Sequence, residues 1–335
     1  MNALVYIPCH TDFSQALDQA KRLRVDFESY IGNSHSKSNS LQIILSVNAY
    51  LPLENEKLRA MELCDQVIYN GSGCLADINI ANGFLVALDK KPDILWLLST
   101  NDHLVKGSIG QILTQFEEDP SIDLVVANAL NRTKTFTETQ IIDPSKPGFS
   151  YGVISGAIYR LERLFPYLHN GPFMAWTGWS HMAVMQSAMD GIGGMRVKTI
   201  PDYLIYEQRE RDLQEAGKYY GHSLYGMLIL GFVLKGSKRQ ARAYIRSYVF
   251  KNFYNFHLYS RSWKYTGQLI SNDNYLAWNQ ELAESLIAKK TPFTFLVYKI
   301  TKVIPWGIFS ESNTAIKAKR LFDKSVGQSK QYKRD

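Results

Sequence analysis

The 335-residue chain predicts an α/β fold, a mostly parallel sheet flanked by helices, with a helical C-terminal region. Three observations carry this. Ile94 to Leu98 (ILWLL) is an unbroken apolar run bounded by Pro92 and by Ser99-Thr100-Asn101-Asp102-His103. It is too short for a free-standing helix and suits a central strand buried on both faces of a sheet. Short apolar runs alternate with helical stretches through the first half, the pattern of a parallel sheet with helical crossovers. Beyond Gly217 the chain turns to long helical stretches crowded with Tyr, Phe and Arg, which places a boundary there and gives domains 1–216 and 217–335.

Taken in order, Ala3 to Ile7 is a first buried strand, ended by Pro8-Cys9-His10-Thr11. Apolar positions at Phe13, Ala16, Ala20, Leu23, Val25, Phe27 and Ile31 predict a helix. A polar loop over 32–40 separates it from a second strand, Leu41 to Val47, with Asn48 at its end. Gln66 to Tyr69 reads as a short strand before the glycine-rich turn Asn70 to Gly73, and Leu75 to Asp89 as a helix. After the central strand come a helix over Ser108 to Glu118, a strand over Leu124 to Ala129, and a further apolar segment from Ser150 to Arg160.

With 45% apolar and 13% aromatic residues the chain has ample core and is not disordered. Its three cysteines, Cys9, Cys64 and Cys74, have no regular spacing, and the N-terminus lacks a basic region followed by a long apolar one. Both point to free thiols in a reducing cytoplasm. From Leu286 to Asp335 there are eleven Lys/Arg against three acids, a net of +8 within a chain of net +7, so residues 1–285 sum to −1. The positive charge belongs to a tail. A nucleic-acid enzyme spreads it along a groove in the body, so no nucleic-acid partner is expected.

In open α/β sheets, ligands sit in the crevice beyond the carboxyl ends of the strands. Asn101, Asp102 and His103 fall where the central strand emerges, a carboxamide, a carboxylate and an imidazole suited to a metal–diphosphate or a sugar. The plainer reading makes Asp102 the cap of the helix that follows.

Six pieces in order then carry a resemblance: Tyr6-Ile7-Pro8-Cys9-His10, Ser46-Val47-Asn48-Ala49, Asn82-Gly83, Trp96 to Asp102, Gly152 to Gly156, and Thr177-Gly178-Trp179-Ser180-His181. Over roughly residues 3 to 212 the chain resembles the nucleotide-sugar-binding half of family-2-like glycosyltransferases of the GT-A (Rossmann-like) fold. It is most similar to bacterial enzymes that build lipopolysaccharide O-antigen or capsule repeats, the abequosyltransferase-like group among them. The resemblance implies a nucleotide-sugar donor whose diphosphate is met by Thr100, Asn101 and Asp102. Asp102 matches the family's metal-binding acid, for Mg²⁺ or Mn²⁺, and Asn101 stands where a second Asp is usual. Pro8, Cys9 and His10 match the first nucleobase-contacting loop. The acid usual after the second strand is replaced by Val47, leaving Asn48 to serve, and the arginine usual before Asn82 is Ala81.

On the acceptor side, the stretch matching the family's Trp-Glu-Asp-like motif runs from Trp176 to His181 and holds no carboxylate. His181 is able to act as general base near neutral pH, or is a structural residue at a helix start. Trp176 and Trp179 suit stacking on an acceptor sugar, or belong to the core. Arg209 and Arg211 lie where relatives place a basic residue facing the diphosphate, within the charged cluster Glu207 to Asp212. Whether configuration is inverted or retained stays open.

Leu224 to Leu234 is about half the ~20 residues a spanning helix requires. Phe293 to Phe309 is interrupted by Lys299, Lys302 and Pro305 and runs into the basic tail. That segment suits a helix lying in the headgroup plane of an anionic membrane, or a helix packed on the body with a solvated tail. The expected function is transfer of a sugar from a nucleotide donor to a lipid-linked saccharide at the inner face of the cytoplasmic membrane. The alternative is a catalytically inactive glycosyltransferase-like protein that binds saccharide or lipid as an assembly partner. A nucleotidyltransferase would want a Gly-rich basic loop, and residues 8–14 hold no Gly, Lys or Arg.

Overall fold

The computed structural model describes residues 1–10, 13–33, 38–48, 52–70, 76–100, 102–129, 140–142, 154–206, 225–235, 238–251 and 274–303. The chain divides into two compact units, Met1–Glu210 and Arg211–Asp335.

In the first unit β1 (Asn2–Cys9) is the centre of the parallel part. It lies parallel to β2 (Ser40–Asn48) on one side and to β4 (Ile94–Leu97) on the other, and β2 is parallel to β3 (Gln66–Asn70). β8 (Ala157–Arg160) pairs antiparallel with both β4 and β6 (Leu124–Ala129). Next come β9 (Met195–Tyr206), parallel to β6, and β5 (Asp102–Leu104), antiparallel to β9. The full order is β3-β2-β1-β4-β8-β6-β9-β5, with β7 (Gln140–Ile142) paired to the start of β9.

Strand alternation divides the core. Val5, Ile7, Ile43, Leu45, Trp96 and Leu98 share one buried cluster with Leu17, Ala20 and Leu23 of α1 (Phe13–Asn33). Ile109, Ile112 and Phe116 of α4 (Ser108–Glu118) complete it. Tyr6 and Leu97 face α3 (Ala76–Lys90), which comes so close that a Cβ on Gly83 would lie 2.5 Å from Leu97 Cδ2 and 2.9 Å from Tyr6 Cδ1. An exposed helical Gly→Ala gains up to about 1 kcal/mol. Here the added methyl meets a packed core, and overpacking costs about 1–3 kcal/mol. Gly83→Ala is therefore expected to lower stability by about 1 kcal/mol net, read as a smaller urea midpoint at unchanged m-value. A gain would show that α3 can shift away from the sheet.

α2 (Glu54–Leu63) precedes β3, and α5 (Asn170–Phe173) precedes α6 (Ser180–Gly191). The second unit contains α7 (225–233), α8 (Lys238–Lys251), α9 (Asn274–Lys290) and α10 (Pro292–Val303). Tyr225, Met227, Leu228, Ile229 and Leu230 are buried, so the apolar run beginning at Leu224 is core of this unit. No helix among the described residues is long and apolar enough to cross a membrane.

Candidate functional site

The carboxyl ends of β1, β2 and β3 carry a buried polar network. Register sets Asn48 opposite Asn70 and Pro8 opposite Ser46. Asn70 Nδ2 donates to Ser46 Oγ at 2.8 Å and to Asn48 Oδ1 at 2.9 Å. Asn79, in the first turn of α3 and 1% exposed, joins it. Its Oδ1 accepts from Tyr6 OH at 2.9 Å, and its Nδ2 donates to the carbonyls of Ser46 at 3.0 Å and Cys9 at 3.4 Å. One carboxamide thus ties the ends of two strands to a helix, as buried polar groups must be tied to be tolerated.

This places the expected base-contacting residues. Asn48 is fully buried and its carbonyl oxygen is taken by Asn70, so it belongs to the scaffold of the rim. Cys9 is buried, Pro8 half-buried and His10 exposed, and Asn82 is half-buried on α3. Cys9 and Cys64 are free thiols. Burial pushes Cys64 up to about 12, with Arg24 pulling it back only in part, so this thiol is unreactive near neutrality.

Beyond β4 the chain is clamped from two sides. Trp96 Nε1 donates to the Ser155 carbonyl at 2.7 Å, and Ser155 Oγ accepts from Ser99 N–H at 2.8 Å. Gln19 of α1 donates from Nε2 to the Ser99 carbonyl at 2.8 Å and also to the Asp102 carbonyl. Thr100 and Asp102 are 7% and 3% exposed. Asp102 opens β5 and pairs with Tyr206 of β9. The capping reading of Asp102 is wrong, since Gly107, at φ 85°, is the N-cap of α4. The Asp26 carboxylate of α1 accepts from Gly107 N–H and, at 2.9 Å, from Ile109 N–H. Asn101, Arg209, Arg211 and the side chain of His103 lie outside the described residues.

Among the described residues no group of three or more His, Cys, Asp or Glu could hold a metal ion. One carboxylate at the exit of β4 is the minimum that Mg²⁺ or Mn²⁺ takes from a protein when phosphate oxygens and water supply the rest. Asp102 fits that role in chemistry. Its burial means that coordination requires rearrangement around β5.

Of the residues expected to meet the acceptor, Trp176 sits in a 3-10 turn, 40% exposed, and Trp179 is half-buried at the N-cap of α6. His181 is 2% exposed, its ring 5.4 Å from that of Trp179. Trp176 is therefore presented to solvent, and His181 is packed beneath the turn.

An open depression of about 460 Å³ lies at the opposite end of the sheet, where β6 and β9 begin, lined by Asp123, Arg160, Arg163 and Arg196 among others. Its polar groups have structural work. Asp123 accepts from Arg163 Nη1 at 2.8 Å and from Arg196 N–H at 2.9 Å, while Arg160 donates to the Ile122 and Phe116 carbonyls.

No family model and no curated protein matches the sequence. Solved structures do match in fold. S. aureus TarS 1–349 in complex with UDP aligns with a TM-score of 0.51 at 12% identity, over 100% of this chain and 94% of that one. The same protein in complex with UDP-GlcNAc aligns with a TM-score of 0.52 at 11% identity, over the same shares. Identities this low speak to the fold alone, and that fold is the GT-A arrangement of a mixed, largely parallel sheet flanked by helices, followed by a helical region.

Proposed function

We propose that the protein is a glycosyltransferase that moves a sugar from a nucleotide-sugar donor to a lipid-linked saccharide, in surface-polysaccharide synthesis. The observation that carries this is the polar rim at the carboxyl ends of β1 to β4 on a GT-A fold, where open α/β sheets bind ligands. The similar structures hold UDP and UDP-GlcNAc, which makes a uridine donor the first to test. Pro8, His10 and the Asn48–Asn70 rim bound the nucleobase. Thr100, Asn101 and Asp102, with Asn82 on α3 and Arg209, bound the diphosphate, and Trp176 and Trp179 bound the acceptor. Asp102 would hold the divalent cation, which when bound offsets the charge of the departing nucleoside diphosphate. His181 is the candidate base, reached by an acceptor hydroxyl once the Trp176–Trp179 turn opens. A membrane-borne acceptor puts the work at the cytoplasmic face of the inner membrane.

The test is thermal unfolding with UDP, GDP, dTDP and CDP, with and without Mn²⁺. A ligand at a hundred times its Kd adds about 2.7 kcal/mol, a rise of several degrees for this size of chain. At least one nucleotide is expected to give it; no rise with any would overturn the donor site.

The absence of a carboxylate from 176–181 and of a ligand cluster among the described residues favours the second reading, a binding protein without turnover. It predicts a nucleotide-induced or saccharide-induced rise in melting temperature with no donor hydrolysis or transfer.

A further inference from the structure

We infer that α10 is a membrane-docking face, seated on an anionic lipid surface through Phe293, Leu296 and Ile300. The inference deepens the reading of a lipid-linked acceptor and rests on it for its biological sense. Its structural basis is independent. Helix orientation is set from the inner side. Thr294 and Tyr298 are buried. Tyr298 OH donates to Glu284 Oε1 of α9 at 2.9 Å and lies 2.8 Å from Tyr225 OH. Lys299 Nζ meets Glu284 Oε2 at 2.9 Å. Thr291 Oγ1 donates to the Ile287 carbonyl at 3.0 Å, fixing the corner where α9 passes into α10.

With that face committed, positions three and four apart on the other side line up. Phe293, Leu296 and Ile300 are 72%, 57% and 44% exposed. Single exposed apolar residues are ordinary, but three large ones in one stripe mark an interaction surface.

Charge selects the occupant. Lys299 is already paired with Glu284, but α9 ends in Lys289 and Lys290, and the chain from Leu286 onward carries net +8. A second copy would bring the same positive charge to the contact, so self-pairing is opposed. An anionic bilayer supplies both an apolar phase for the stripe and negative headgroups for the lysines.

The experiment is co-sedimentation of the full chain with phosphatidylcholine vesicles containing phosphatidylglycerol, against phosphatidylcholine alone. The chain is expected to bind the anionic vesicles, and salt to weaken binding. The triple variant Phe293→Ser, Leu296→Ser, Ile300→Ser is expected to lower the bound fraction at least about tenfold with an unchanged melting temperature. Val25→Ser, at another exposed apolar position, is expected to bind as the parent does. Undiminished binding by the triple variant, equal binding to neutral vesicles, or no binding by the parent chain would each overturn the inference. So would a parent dimer that the triple variant dissolves, which would assign the stripe to a second copy. Nucleotide-induced stabilisation separates the two claims. If it persists while vesicle binding is absent, the docking face is wrong and the donor site stands. If vesicles bind and no nucleotide does, the reverse holds.

Discussion

Asp102→Asn is expected to lower sugar transfer by about a hundredfold or more while changing stability by no more than about 1 kcal/mol. The substitution keeps the volume of a side chain that is 3% exposed. It also leaves intact the backbone bonds that place residue 102, namely the pairing with Tyr206, the N–H to the Ser99 carbonyl at 3.2 Å, and the carbonyl that accepts from Gln19. What it removes is the negative charge. On the proposed reading, Asp102 would hold the divalent cation that offsets charge on the departing diphosphate, and a neutral carboxamide would not hold it. Two readouts check this: the turnover rate with each nucleotide sugar, and the affinity for UDP with and without Mn²⁺. The expected variant binds UDP equally in both conditions, whereas the parent gains affinity from the ion. Unchanged turnover in the variant would remove Asp102 from the reaction. Equal inertness of parent and variant would favour the binding-protein reading.

The parts of this site that were legible in the chain are those with a local pattern. Ile94 to Leu98 announces β4 because five apolar residues in a row fit a strand covered on both faces, and Ser108–Glu118 because apolar residues recur at helical spacing. β9 left no such trace. Pro201 falls inside it and cannot donate to a ladder, and the β6–β9 register is irregular between Ala127 and Ala129, at that level. β5 is three residues long and its partner lies about a hundred residues away in the chain, so Asp102 reads as loop until the pairing is seen. α2 buries only Ala60 among its ten residues, too little to leave an apolar stripe. The residues that shape the site from behind were harder still. Gln19 and Asp26 each occur on α1 as ordinary polar residues, and nothing nearby shows that one holds the turn after β4 and the other the start of α4. Ser46 and Asn48, polar residues closing a mainly apolar strand, were the available signs that the end of β2 meets a polar partner.

Asn79→Leu is expected to be the most destabilising polar-to-apolar change at this rim, by about 3 kcal/mol, as three or four hydrogen bonds worth about 1 kcal/mol each are lost. The isosteric side chain fills the volume, so the loss is not a cavity effect. It removes the acceptor that Asn79 offers Tyr6 OH and the donor it offers the Cys9 and Ser46 carbonyls, all at a position 1% exposed to water. Asn79→Asp separates the two halves of the carboxamide. It keeps the acceptor for Tyr6 but turns a second oxygen toward two carbonyls, so it too is expected to destabilise. A purely structural role would end there. If the network also sets where the loop after β1 and the end of β2 stand, nucleotide affinity must fall at temperatures where Asn79→Leu is still fully folded. A weaker UDP Kd at such a temperature, with turnover of bound donor little changed, identifies Asn79 as a positioning residue of the donor site. An unchanged Kd beside a lowered melting temperature confines it to holding the sheet together.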